Sequence, residues 1–245
     1  MPNAYPWLFS LTALASLLWL GLARRDGAPR REAERARARF DGGAAALGGG
    51  LLGARLSYVL LHFEFYRSHP TEILAYWQGG LDWFGGILGA VIGLWIYSRA
   101  ARQPFWELAD SLAAPGVLFS LAAWLGCLLD GCGYGRPVAS RWWAPATADS
   151  FGAVSPRWPT QAAGALLSLA CAAAVFRMQD RPMAVGTRAC LALAACAAII
   201  LLVSLGRGDP SLDIFGLRGD GVASAVLFLA ALAAWRLLPR LPEAA

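Results

Sequence analysis

Seven apolar runs divide this chain, and they limit its fold more than any other feature. They fall at roughly 7–23, 43–62, 84–98, 113–129, 160–176, 185–205 and 221–238. Several approach the ~20 residues that a helix needs to cross the hydrocarbon of a bilayer. In lipid a segment must satisfy its own backbone N–H and C=O groups, so runs of this length become helices. The second and third runs are interrupted by glycine, and the third is short. The expected fold is an all-α polytopic membrane protein with about seven transmembrane helices, forming one integral-membrane domain over residues 1–245.

The composition agrees. The chain is 58% hydrophobic and 15% charged, where a soluble domain carries about 25% charged residues. A net charge of +5 would suggest a nucleic-acid partner in a soluble protein. Here the arginines follow the loops instead, and no nucleic acid is expected. Arg24, Arg25, Arg30, Arg31, Arg35, Arg37 and Arg39 follow the first run. Arg99, Arg102, Arg177, Arg181, Arg188, Arg236 and Arg240 lie on the same alternating side. The other loops hold only Arg67, Arg136, Arg141, Arg157, Arg207 and Arg218. The positive-inside rule then places the N-terminus outside and the C-terminus in the cytoplasm. The first run has no basic residues before it and no small-residue cleavage site, so it reads as a retained span. The basic run 24–39 reads as a solvated cytoplasmic face, with contact to anionic lipid as a secondary use.

Cys171, Cys190 and Cys196 lie within apolar runs and read as packing residues. Cys127 and Cys132 are different. They sit in Gly126-Cys-Leu-Leu-Asp-Gly-Cys-Gly-Tyr-Gly-Arg-Pro137, where an apolar run meets a polar loop. Two thiols without a histidine do not fill a tetrahedral metal shell, so no metal site is expected here. A disulfide, two idle thiols and a reactive thiol all stay open. Asp130 and Arg136 are the charged members of this stretch.

Three further places concentrate polar groups at the outer side. Arg55, within Gly53-Ala-Arg-Leu-Ser-Tyr58, lies inside the second run, where an arginine needs a partner or a wet cavity. Either an internal pairing or a phosphate ligand would serve it, because guanidinium matches phosphate geometry. Trp77-Gln-Gly-Gly-Leu-Asp-Trp-Phe-Gly-Gly86 sets Asp82 between two glycine pairs, which read either as tight helix packing or as part of a site. Trp77 and Trp83 fit an interfacial aromatic belt. Pro159-Thr-Gln161 and Arg207-Gly-Asp-Pro210 complete the set, with Arg207 able to close on a phosphate or on Asp209. His62 and His69 suit solvated interfacial positions, or a general base.

Taken together and in this order, these motifs resemble the bacterial prolipoprotein diacylglyceryl transferase family over about residues 45–235. The resemblance rests on Gly53-Ala-Arg-Leu-Ser-Tyr-Val-Leu60, His69-Pro70 through Trp77-Gln-Gly-Gly80 to Gly85-Gly86, and Leu125-Gly126 through Gly131 to Tyr134-Gly-Arg-Pro137. Pro159-Thr-Gln161 and Arg207 extend it. It implies a multi-pass protein of the bacterial inner membrane. It implies transfer of the diacylglyceryl group of phosphatidylglycerol, or another anionic phospholipid, to the lipobox cysteine thiol of a preprolipoprotein, with glycerol phosphate leaving and no cofactor. On this reading Asp130 is the base and Cys132 a second catalytic candidate. Arg55, Gly80, Gly85, Gly86, Gly131, Tyr134, Gly135, Arg136, Gln161 and Arg207 bind substrate. Arg55, Asp130, Tyr134, Arg136, Gln161 and Arg207 are expected to border one cavity.

The chain departs from the family where the chemistry is concentrated. Phe84 stands at the family's histidine. Trp124, Cys127, Asp130 and Cys132 stand at an arginine, two asparagines and a glutamate. Leu8 stands at a tyrosine of the first span, and Ile200 and Ser204 at an arginine and a glutamate of the sixth. A non-catalytic or re-purposed paralogue that binds lipid or a membrane partner is therefore the alternative.

Overall fold

The computed structural model of the chain describes residues 4–22, 29–76, 79–149 and 151–238. The belt position expected of Trp77 lies outside them, as do Arg24, Arg25 and Arg240 of the arginine pattern. Among the described residues, seven helices are long and apolar enough to cross a membrane. They are α1 (Ala4–Leu22), α2 (Pro29–Leu61), α4 (Trp83–Ala100), α6 (Ala113–Asp130), α7 (Thr160–Arg177), α8 (Thr187–Ser204) and α9 (Gly219–Leu237). Two shorter helices, α3 (Phe63–Ser68) and α5 (Phe105–Ser111), and a 3-10 turn at Pro70–Leu74 join them. Two small antiparallel hairpins sit in loops. One pairs β1 (Ala146–Ala148) with β2 (Val154–Pro156), Thr147 facing Ser155. The other pairs β3 (Asp213–Ile214) with β4 (Leu217–Arg218).

The seven expected spans are present, with one boundary moved. The basic run read as a loop is helical from Pro29, and α2 continues unbroken for 33 residues. At 1.5 Å per residue it is about 50 Å long, well beyond a hydrocarbon core of about 30 Å. Its first turns are therefore free to carry charge, and pairs one turn apart support them: Arg35 with Glu32 and Arg37 with Asp41, each at 3.6 Å.

The chain divides into two compact units: Ser16–Ala109, and Met1–Ala15 together with Asp110–Ala245. In the Ser16–Ala109 unit, α2 lies against α4 along a line of glycines. A Cβ added at Gly49 or Gly53 would run into the carbonyls of Gly89 and Gly85, and one at Gly93 into that of Ala45. The backbones touch because no side chain separates them, the usual basis of close helix association in lipid. Asp82 starts α4: its carboxylate accepts from Gly85 N at 2.7 Å and from the Ser57 hydroxyl at 2.8 Å, a helix cap.

The other unit packs α6, α7, α8 and α9. Trp124, Ala165, Ile199 and Val203 form a buried cluster, with Leu121, Cys171 and Ile200 packed around it. Gly164 lets the Trp124 ring lie flat on α7, where any Cβ would collide with the indole. At the other end of the unit, Asp110 accepts from Gly186 N and Ala189 N at 2.7 and 2.8 Å. This places a carboxylate at the positive end of α8.

Candidate functional site

The stretch after α6 is held by an unusual density of backbone bonds. Gly131 ends the helix in the left-handed conformation, φ 77°, its N–H bonded to the Cys127 carbonyl at 2.9 Å; glycine adopts this without strain. Cys127 and Cys132 are joined as a disulfide across the turn. Gln161, buried at the start of α7, donates from Nε2 to the Cys132 carbonyl at 2.7 Å and to the Cys127 carbonyl at 3.2 Å. The Thr160 hydroxyl donates to the Gly133 carbonyl at 2.8 Å. The start of α7 thus clamps the turn that the disulfide closes.

Beyond the turn, Tyr134–Val138 runs extended between two other segments. On one side Arg136 N bonds to Gly206 O at 2.9 Å and Gly208 N to Tyr134 O at 2.8 Å. On the other, Trp158 N bonds to Arg136 O at 3.1 Å and Val138 N to Pro156 O at 2.9 Å. Gly135 has no room for a side chain, because a Cβ would meet the Trp158 carbonyl. Beneath this strip lies Arg157, only 5% exposed. Its guanidinium stacks 4.9 Å from the Tyr134 ring centroid and reaches Asp149 at 2.9 Å. Burial pushes the Asp149 carboxyl up. Hydrogen bonds from Ala153 N and Phe151 N, together with the Arg157 charge, outweigh burial and hold it below the usual carboxylate range. Nothing beyond its place in a loop between two apolar runs marked Arg157 in the sequence.

The arginines differ sharply in what they have left to give. Arg207 is paired with Asp209 and with Asp220, the latter at 3.0 Å. Arg218 reaches the same two carboxylates at 3.3 and 3.1 Å. Two cations face two anions, and the group closes on itself. Burial lowers the proton affinity of the Arg207 guanidinium, but the two carboxylates more than offset this and raise it. Arg136 is exposed and spends only Nε, on the Arg207 carbonyl at 3.1 Å. Its two amino groups have no partner among the described residues. They are the free donors of this strip, aimed by a rigid backbone, and a fork of this kind suits a phosphate.

A sequence model of the prolipoprotein diacylglyceryl transferase family matches residues 6–237. The chain belongs to that family. Several relatives carry the name phosphatidylglycerol–prolipoprotein diacylglyceryl transferase. One from Azoarcus sp. strain BH72 is 35% identical over 195 residues, 74% of this chain and 70% of the relative. One from Aromatoleum aromaticum is 45% identical over 92 residues, 37% of this chain and 34% of the relative. One from Cupriavidus metallidurans is 34% identical over 142 residues, 55% and 51% of the two chains. The last two matches thus span a third and about half of those relatives' own lengths.

Within this diacylglyceryl transferase family member, the expected site residues have divided roles. Gly131, Cys132, Tyr134, Gly135, Arg136, Gln161 and Arg207 are tied together by the bonds above, and Asp130 lies in the same compact unit. Cys132 needs correction as a catalytic thiol, since its sulfur is bonded to Cys127 and carries no proton to exchange. Arg207 needs correction as an open phosphate ligand, since Asp209 and Asp220 occupy its guanidinium. Asp130 is exposed and accepts from Ala4 N at 2.9 Å and Tyr5 N at 2.8 Å. It caps α1 and has no arginine partner among the described residues. Arg55, Gly80, Gly85 and Gly86 lie in the other unit. Arg55 also needs correction as a phosphate ligand. It donates to the carbonyls of Ile73, Gly79, Gly80 and Glu72 at 2.8, 2.7, 2.9 and 2.6 Å, so four acceptors already occupy a side chain 9% exposed. Gly80 lies against Arg55 and Tyr58, and Gly85 lies against Gly53 and Ser57. His62 and His69 are exposed and stack on Tyr58 and Phe65.

The residues read above as standing at the family's polar positions have structural roles here. Trp124 is 6% exposed and centres the core cluster, with Ile200 packed on it. Cys127 and Cys132 form the staple. Ser204 is buried and returns its hydroxyl to the Leu201 carbonyl at 2.7 Å.

Proposed function

We propose that this chain is an inner-membrane transferase that takes the diacylglyceryl group of phosphatidylglycerol to the lipobox cysteine of a preprolipoprotein. Its N-terminus lies outside and its C-terminus in the cytoplasm, as the arginine distribution favours. The observation that carries the reading is Arg136, a guanidinium with two free amino groups on a strip of backbone locked from both sides, in a chain that matches this family almost end to end. Arg136 holds the phosphate of the headgroup. Asp130, exposed and without a cationic partner, takes the proton of the acceptor thiol. The thiolate sulfur then bonds to the glycerol carbon that bears the phosphate ester, that carbon–oxygen bond breaks, and glycerol phosphate leaves with the electron pair. Arg136 stabilises the charge that gathers on the departing phosphate. The test is complementation of bacterial cells depleted of their own transferase. Growth and lipoprotein maturation support the reading; failure of a correctly inserted protein to restore either counts against it.

A second reading is favoured by Trp124. An indole fills the core where the family carries a guanidinium, and a disulfide stands where it carries amide and carboxylate groups. On this reading the chain binds the anionic lipid through Arg136 and performs no transfer. Lipid binding without complementation is its signature.

A further inference from the structure

The β3–β4 hairpin breaks two rules at one residue. Phe215 has φ 54°, a left-handed backbone in which a bulky side chain is strained. Gly216 follows with φ 80°, so both central residues of the turn have positive φ. This is the pattern that Asn-Gly or Gly-Gly usually fills. The Phe215 ring is also wholly exposed, at 102% of its reference area. Strain and exposure both oppose folding in water, and the ring is fully exposed among the described residues, so no burial offsets them. An observed outlier of this kind points to a function at the place where it occurs.

The hairpin is not a loose loop. Asp213 Oδ1 accepts from Gly216 N at 2.8 Å and holds the turn. Gly219 N bonds to Leu212 O at 2.7 Å, which ties the base of the hairpin to the first turn of α9. Arg218 donates to the Asp209 carbonyl at 2.8 Å and joins the pairs with Asp209 and Asp220. Ile214 faces Leu217 and Asp213 faces Arg218, so the tip stands only two residues beyond the base, about 7 Å at 3.3–3.6 Å per residue. The interfacial layer on each side of the hydrocarbon is about 5–8 Å thick. The ring is therefore fixed within reach of the layer in which α9 enters the membrane. Leu212 and Leu217 are exposed beside it, at 58% and 62%.

We propose that the β3–β4 hairpin is a membrane-surface anchor: the Phe215 ring, with Leu212 and Leu217, beds in the interfacial layer of the leaflet where α9 begins. The occupant is the bilayer because the hairpin is bonded to a spanning helix and meets lipid continuously, without a further partner. Phe and Leu side chains bed in this layer on the apolar faces of segments that lie at the membrane surface. The anchor sets the height of the Arg207–Arg218 group, and through the backbone pairing of Gly135 with Arg207 it sets the height of Arg136. It rests on α9 crossing the membrane and stands whether or not the chain transfers lipid.

Phe215→Cys, labelled with a polarity-sensitive dye and reconstituted in phosphatidylcholine–phosphatidylglycerol vesicles, tests it. The unsubstituted protein labelled in parallel sets the background from the other free thiols. The expected result is blue-shifted emission, quenched at least twofold by lipids spin-labelled at the headgroup or the upper acyl chain and little by aqueous iodide. Emission as in water, with strong iodide quenching, overturns the proposal. So does shielding from both quenchers, which marks a protein contact. Phe215→Gly removes the ring and relaxes the backbone, so its thermal midpoint in detergent should equal or exceed that of the original. A lower midpoint shows that the ring supports the fold, and also overturns the proposal.

Discussion

Arg136 is joined to Arg207 by a single hydrogen bond, from its Nε to the Arg207 carbonyl oxygen at 3.1 Å. That bond orients the guanidinium and leaves the Arg207 side chain to its carboxylates. The backbone of Arg136 is fixed separately, by Gly206 and Trp158. Removing the Arg136 side chain should therefore cost function and not fold. Arg136→Ala is expected to weaken binding of anionic lipid at least tenfold, about 1.4 kcal/mol, with the thermal midpoint unchanged. Arg136→Lys restores the charge but not the fork and should recover only part of the binding. Equilibrium binding to phosphatidylglycerol in nanodiscs measures both.

Asp130 carries two tasks that substitution can separate. Its carboxylate caps α1 through Ala4 and Tyr5 and is the proposed base. Asn keeps an acceptor for the cap but cannot take a proton. Asp130→Asn should abolish thiol-directed transfer with little loss of stability. Asp130→Ala should abolish transfer and lose about 1 kcal/mol as well, the usual worth of a cap. Activity and detergent melting curves for the pair decide this.

Arg55 should behave in the opposite way to Arg136. Its guanidinium serves four carbonyls in the segment from Glu72 to Gly80. Arg55→Ala leaves those groups without their donor, and a buried group that loses its partner costs about 1–3 kcal/mol. The expected outcome is a loss of about 3 kcal/mol or more and a clear drop in thermal midpoint. Lys offers its donors from a single point and should not rescue it. A stable Arg55→Ala protein that fails only in lipid binding would return Arg55 to the phosphate site.

The β1–β2 hairpin should be sensitive to acid. The Asp149 carboxyl is depressed in the folded chain by Ala153 N, Phe151 N and Arg157. A depressed carboxyl contributes stability above its unfolded value, about pH 3.9, and loses it as pH falls through the lower folded value. Below about pH 4 the Trp143–Trp158 region, whose rings lie 4.8 Å apart, should loosen and change its fluorescence. In Asp149→Asn that transition should be absent.

Much of the fold is legible in the sequence, because a spanning helix is written as a long apolar run and six of the seven have little else in them. The extension of α2 is not, since Arg31–Asp41 carries charge and a helix leaving the membrane has no apolar signal. At the site, residue type was readable and partner was not. Arg55 stood out as a buried cation, but its acceptors are backbone carbonyls, which every residue has. Arg207 was readable against Asp209, two residues away, while Arg218 and Asp220 enter only because the β3–β4 hairpin folds back. The fate of Cys127 and Cys132 depended on a turn whose geometry Gly131 and Gln161 set. Trp124 was visible as a departure from the family, but its role as the centre of a core cluster depends on Gly164, forty residues on in the chain.

The central claim is that Arg136 presents a phosphatidylglycerol headgroup for transfer to a thiol. Its most direct test is mass spectrometry of a lipobox peptide incubated with the purified chain in phosphatidylglycerol vesicles. The account predicts a gain of one diacylglyceryl group on the peptide cysteine. That gain should be retained in Cys132→Ser and lost in Arg136→Ala and Asp130→Asn. An unmodified peptide from folded, lipid-binding protein would contradict transfer, and full modification by Arg136→Ala would contradict the site.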